Sequence, residues 1–390
     1  MQEDKIIEEL CQTLVNAISL KIKTHQDNII KTIDQIFTNN NKKIINSQKQ
    51  SNNKQINQPV SKPSRGSPIN IQELKEPPLV ILEKIDNTNN LINFIFQCLS
   101  ANKSFVLYFL NPMNEEIILQ QSQKDQTEIY LLPSILKLLD NVWTGKDKTY
   151  NMIEIHEKLK SLMQNDYNSK NPGNIINSIF NQLHKEFNSN KNLVINSNWN
   201  SNKEQVLNDY LNNLSNNNSL ISNEFFIALL LEKQESDHLF LVDSTNTIDL
   251  NVNNIKRSFL SIENDFKELF IDENDEKKYC NNKEKFVGKS IQKLPNQLII
   301  NINRAGKKKK HLNFRTEIET KKFFNNGEIG QIYQLIANIC SKNEGNIFAY
   351  IKSFINDKWY LYNDNDVKIV ENEDSIIDED NSILLFYQKK

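Results

Sequence analysis

The apolar residues of this chain recur with different periods in different stretches, and those periods divide it. From Asp4 to about Phe37 they fall at Ile7, Leu10, Leu14, Ile18, Ile22, Ile29, Ile33 and Ile36, mostly three or four apart, the spacing of one helix face. This predicts an amphipathic helix or helical hairpin over residues 1–40, whose stripe must be buried against a partner or against its own domain. From Thr38 to Pro78 large apolar residues nearly stop, leaving Asn, Gln, Ser and Lys. Pro59, Pro63, Pro68, Pro77 and Pro78 exclude a continuous helix there. Residues 41–77 therefore read as a disordered, low-complexity linker ahead of a folded body over 78–390.

That body opens on Leu79-Val80-Ile81-Leu82. Asp86-Asn87-Thr88-Asn89-Asn90 follows, a run of helix-capping residues, and then Leu91 to Leu99, which predicts a buried helix. Helical spacing continues from Thr127 to Met163, from Ile175 to Phe187 and from Glu204 to Leu214. Three aromatic and β-branched runs close the chain: Gly345 to Lys352, Trp359 to Val367 and Ser382 to Tyr387, each read as one strand bounded by Asn, Asp, Ser or Gly.

Composition changes this picture little. The hydrophobic share of 38% is low for a chain of 390 residues, consistent with a core confined to part of it, and a net charge of −2 provides no global field toward nucleic acid or a membrane surface. Lys307 to Lys310 reads as a solvated hairpin tip. No apolar run is long enough to span a bilayer, and the acidic start Met1-Gln2-Glu3-Asp4 lacks a signal-peptide pattern, so an intracellular protein, cytoplasmic or nuclear, is expected. Cys11, Cys98, Cys280 and Cys340 are far apart and read as free thiols. No phosphate-binding glycine loop, His-Glu-x-x-His or Gly-x-Ser-x-Gly occurs; the carboxylates at Asp364, Asp366 and between Glu371 and Asp380 read as solvated loops, and neither cofactor nor metal is expected.

One order of residues is specific. Gly-x-x-x-Ala-Tyr (Gly345 to Tyr350), Trp-Tyr-x-Tyr-x-Asp-x-x-Val (Trp359 to Val367) and Leu-Leu-Phe-Tyr (Leu384 to Tyr387) resemble the closing block of the ubiquitin-specific protease family of deubiquitinases. Leu294-Pro295-x-x-Leu298 to Arg304 and Tyr333-x-Leu335-x-Ala337 resemble strands that precede that block, in the right order. Asn87-Thr88, Asn93 and Gln97-Cys98-Leu99 resemble the helix that carries the family's nucleophile, with a slip of one residue. Leu335 to Ile339 also resembles a spliceosomal scaffold member that lacks the catalytic residues.

The resemblance implies a papain-like α+β domain over 78–390, with a helical thumb at about 78–220, β fingers at about 221–290 and an antiparallel-sheet palm at about 291–390. It also implies that the chemistry is gone. The nucleophile position falls on Asn89 or Asn90, the histidine position on Asn346, and the position of the residue that orients the histidine on Asn363; the oxyanion-stabilising asparagine falls on Lys84 or Ile85. Thiol acyl transfer needs a thiolate and an imidazole, and a carboxamide supplies neither. The family's finger cysteines fall on Glu232 to Ser236 and on Tyr279 to Lys283, where Cys280 stands alone, so no structural zinc is expected. The resemblance implies a ubiquitin-tail cleft at Asn89, Asn346, Tyr350, Trp359, Asn363 and Asp364, with Asn346, Asn363 and Asn89 or Asn90 converging on it. The expected role is a catalytically inactive binder of ubiquitin or a ubiquitin-like protein, or a scaffold within a protein complex. The alternative is an active isopeptidase that uses Cys98 or Cys340.

Overall fold

In the computed structural model, residues 76–390 are described apart from 86–88, 125–127, 146, 189–197, 235–236, 271–274, 281–283, 305–309, 323–330, 344–345 and 364–365. The expected N-terminal helix, most of the linker, Asn87, Thr88, Gly345 and Asp364 lie outside the described residues.

The first half is helical. A short strand β1 (Ile81–Leu82) leads to α1 (Asn90–Ser100), α2 (Lys103–Phe109), α3 (Pro112–Lys124) and α4 (Leu132–Thr144). Strand β2 (Thr149–Tyr150) pairs in parallel with β1, and α5 (Ile153–Met163), α6 (Pro172–Phe187), α7 (Lys203–Asn216) and α8 (Leu220–Glu224) follow. Helix α1 is buried at every residue from Leu91 to Ser100, which is why its sequence is apolar nearly all round. Its two amides inside that burial are spent on neighbouring backbone: Asn93 Nδ2 donates to Glu83 O at 2.7 Å and Gln97 Nε2 to Val80 O at 3.0 Å. Helix α4 has no side-chain cap of its own. Instead the buried Glu186 carboxylate, from the end of α6, accepts from Leu131 N and Leu132 N at 2.8 Å.

The second half is mostly strands: β3 (Ile227–Gln234), β4 (His238–Thr245), β5 (Ile248–Asn251), β6 (Phe259–Ser261), then α9 (Ile262–Phe270) and α10 (Asp275–Tyr279). Next come β7 (Lys285–Lys293), β8 (Gln297–Asn303), β9 (His311–Asn313), β10 (Glu317–Glu319), β11 (Ile332–Asn343), β12 (Asn346–Lys352), β13 (Trp359–Asn363), β14 (Asp366–Ile369) and β15 (Ser382–Lys389). Three of them form a separate antiparallel sheet in the order β4-β3-β7. The largest sheet runs β14-β13-β12-β11-β15-β8-β5, with β10 also on β11; only its β5–β8 pair is parallel.

This sheet separates two cores, and the alternation of its strands shows which residue serves which. Ala349, Ile351, Tyr360, Tyr362, Leu384 and Phe386 pack with the helices, while Phe348, Tyr350, Trp359, Leu385 and Tyr387 pack on the other face. The run from Trp359 to Val367 forms a hairpin and not one strand. β13 and β14 pair antiparallel within it, with Asn363 opposite Asp366.

Candidate functional site

Asn89 is the N-cap of α1. Its Oδ1 accepts from Leu91 N at 3.2 Å, its Nδ2 donates to Tyr167 O at 2.8 Å, and its own N–H donates to the Tyr167 hydroxyl at 3.4 Å. Asn90 is the first helical residue, and its buried Nδ2 has no partner. The caps thus assign Asn89 to the bend and Asn90 to the helix, a distinction that matching from either end of the sequence leaves open.

Behind Asn89 lies a polar chain that sequence reasoning missed. The Tyr167 hydroxyl is 2.8 Å from His156 Nδ1, and His156 Nε2 is 2.7 Å from Asn93 Oδ1. Asn93 Nδ2 is already committed to backbone carbonyls, so Nε2–H donates to Oδ1 and Nδ1 accepts from Tyr167. Burial, with Lys160 adding repulsion, holds the His156 pKa down at about 4. The ring is a neutral strut that fixes where α1 begins. Its signal in the sequence was only a lone polar residue on an apolar helix face, at His156 among Ile155, Leu159 and Met163.

Asn346 opens β12 and Asn363 closes β13, and both are exposed. Asn363 pairs with Phe348, so Asn346 stands two residues further along the same face, a diagonal neighbour. Lys84 and Ile85 lie in the irregular segment after β1, Ile85 partly buried against the core that α1 joins. Tyr350 and Trp359, expected in the cleft, are instead 9% and 4% exposed in the core on the face away from α1. The physical reason is the period of two: β12 turns Ala349 and Ile351 to the helices, so Tyr350 must face away.

The two alternative nucleophiles are core residues. Cys98 is 4% and Cys340 0% exposed, and burial pushes both thiols well above their usual range. Neither is ionised or accessible at neutral pH. In the three-stranded sheet, where the family's finger cysteines were sought, His238 Nδ1 meets Glu232 Oε1 at 2.6 Å and Cys280 is half-buried. Among the described residues no three His, Cys, Asp or Glu side chains are grouped to hold a metal ion. Two lysines there are buried with carboxylates and aromatic rings: Lys233 with Glu284 at 2.8 Å and over Trp199, and Lys289 with Asp275 at 2.7 Å and over Phe270.

A helical lobe on an antiparallel sheet, a separate three-stranded arm, and a central helix that starts at a sharply capped bend define a papain-like α+β architecture of thumb, fingers and palm. The sequence matches the model of the ubiquitin carboxyl-terminal hydrolase family over residues 82–387, and the chain belongs to that family. No curated protein sequence matches it. Among solved structures it is similar to a chain of the Ubp8-Sgf11-Sgf73-Sus1 SAGA DUB module, with a TM-score of 0.54 and 17% identity over 81% of this chain and 68% of that one. A yeast SAGA DUB module with mutant Sgf73 gives a TM-score of 0.52 and 15% identity over 81% and 67%. At these identities the likeness is one of fold. No described helix is long and apolar enough to cross a membrane.

Proposed function

We propose that this chain is a non-catalytic member of its family, which uses the thumb, fingers and palm to hold ubiquitin or a ubiquitin-like protein, or to seat itself in a larger complex. The observation that carries this reading is the pair of carboxamides at the two reacting positions, Asn89 or Asn90 where α1 begins and Asn346 where β12 begins. Both elements are built and anchored, yet neither reacting position carries a thiol or an imidazole. His156 is locked between Tyr167 and Asn93, and no histidine follows His311 in the sequence.

The direction of α1 supports placing these positions at one end of the largest sheet. Gln97 and Ser100, near its C-terminus, share a pocket with Ile351 and Phe354, at the far end of β12. The helix is about 16 Å long at 1.5 Å per residue and β12 about 23 Å at 3.3 Å per residue, so the N-terminus of α1 lies toward the Asn346 end of that strand. Asn363 shares that end of the sheet, and like Asn346 it falls in the alternation of Phe348 and Tyr350, on the face away from α1. The similarity to chains of multi-subunit DUB modules supports the scaffold half of the reading.

Two measurements test it. Incubation with a ubiquitin-based electrophile leaves the protein unmodified; a covalent adduct that disappears in Cys98→Ser or Cys340→Ser overturns the inactive reading and restores the isopeptidase alternative. Titration with ubiquitin by NMR or calorimetry separates the two roles: saturable shifts at Asn89, Asn90 and Asn346 identify a ubiquitin binder, and no binding at high micromolar concentration leaves the scaffold.

A further inference from the structure

At the opposite end of α1 from Asn89, a shallow pocket, partly open to solvent, lies between the helices and the largest sheet. Trp143 of α4 stacks there on Phe354, from the loop after β12, with ring centres 5.1 Å apart and planes 27° apart. Tyr360 and Tyr362 of β13 extend this aromatic wall, and the remaining side is formed by the chain's own Pro77 and Pro78. The prolines are held in place on both sides. Gln97 Nε2 donates to Val80 O at 3.0 Å, and Asn356 Nδ2 bridges Tyr360 Oη at 2.9 Å and Glu76 Oε2 at 3.4 Å.

An aromatic wall facing two consecutive prolines is the chemistry by which proline-rich segments are recognised. Each proline fixes its own φ, and a residue that precedes proline is driven to extended backbone, so Glu76 and Pro77 are stiff before they dock and lose little entropy on docking. A second observation shows that the strap leaves a group in the pocket unused. Ser100 is 3% exposed and lines it, yet its Oγ has no hydrogen-bond partner.

We propose that this pocket is a proline-recognition groove occupied in cis, in which residues 76–80 act as a strap that fastens the helical half of the fold to the sheet. The tether keeps the strap at an effective concentration in the millimolar range, so a proline-rich segment from elsewhere is excluded until the strap is released. The groove therefore suits a partner carrying a Pro-Pro dipeptide in extended conformation with a polar group that reaches Ser100. This inference does not depend on ubiquitin binding and stands or falls separately from it.

The test uses the full chain and a fluorescein-labelled peptide with the sequence of residues 76–81, Glu-Pro-Pro-Leu-Val-Ile, followed by anisotropy. In Pro77→Ser/Pro78→Ser the groove is vacated, and the variant binds the peptide at least tenfold more tightly than the unaltered protein does. It also prefers that peptide at least tenfold over a control with both prolines changed to serine. Asn356→Ala, which removes a surface anchor and leaves the wall intact, moves affinity the same way by a smaller factor and keeps the test valid if the double variant does not fold. Hydrogen exchange at Ser353, Phe354 and Ile355 quickens in both variants. Equal binding by altered and unaltered protein, no preference for proline, or no binding at millimolar peptide overturns the proposal.

Discussion

The polar chain behind α1 makes stability depend on pH with a sign and a size that can be worked out. His156 is 1% exposed, its Nε2–H is given to Asn93, and its Nδ1 receives the Tyr167 hydroxyl. Protonation would place a second N–H against that hydroxyl, which would have to turn its hydrogen toward Asn89 N, itself a donor. The pKa in the folded protein is about 4, against 6.5 for an ordinary histidine. A base whose folded pKa is depressed contributes stability that is fully present above the unfolded value and is lost as pH falls from there toward the folded value. Between neutral pH and about pH 5 the unfolded chain takes up nearly one proton at this site that the native state refuses, a loss of about 2 kcal/mol, rising to about 3 kcal/mol below pH 4. Urea denaturation of the unaltered protein and of His156→Gln, at a series of pH values, isolates the effect. Glutamine can donate to Asn93 and accept from Tyr167 but does not titrate, so the variant loses about 2 kcal/mol less over this interval. His184, also held down at about 4 by burial, contributes equally to both proteins and cancels. Parallel pH profiles for the two proteins would refute the assigned bonding and burial of His156.

Other parts of the fold allow shorter tests. A methyl group on Gly173 would sit 2.6 Å from Asn301 Nδ2 and 2.8 Å from Asp249 Oδ1, groups fixed by their own hydrogen bond, so Gly173→Ala costs about 1–3 kcal/mol in chemical denaturation. Lys233→Met removes the buried cation 2.8 Å from Glu284 and costs about 3–5 kcal/mol, whereas Lys233→Met/Glu284→Met recovers most of that loss; thermal melting of the four members of the cycle reads the coupling. Glu186→Gln weakens the cap that α6 supplies to α4 and lowers unfolding free energy by about 1 kcal/mol, with faster hydrogen exchange at Leu131 and Leu132.

Much of this protein is legible in one dimension. Runs of β-branched and aromatic residues specify β8, β11, β12, β13 and β15 because a strand between two cores must be apolar on both faces. The capping run before Leu91 specifies the start of α1, because Asx side chains satisfy amides that a helix leaves open. The order of motifs from Leu294 onward carries the family. What the sequence could not supply is where side chains point once strands pair. Tyr350 and Trp359 look like cleft residues by position, and only the register shows that β12 and β13 turn them into the core away from α1. The Trp359 to Val367 run looks like one strand until Asn363 pairs with Asp366. His156 and Tyr167 are 63 and 78 residues from their partners Asn93 and Asn89, and Glu186 is 55 from Leu131; no local pattern joins them. Such contacts depend on how the helices pack, and that is decided when the apolar faces are buried together.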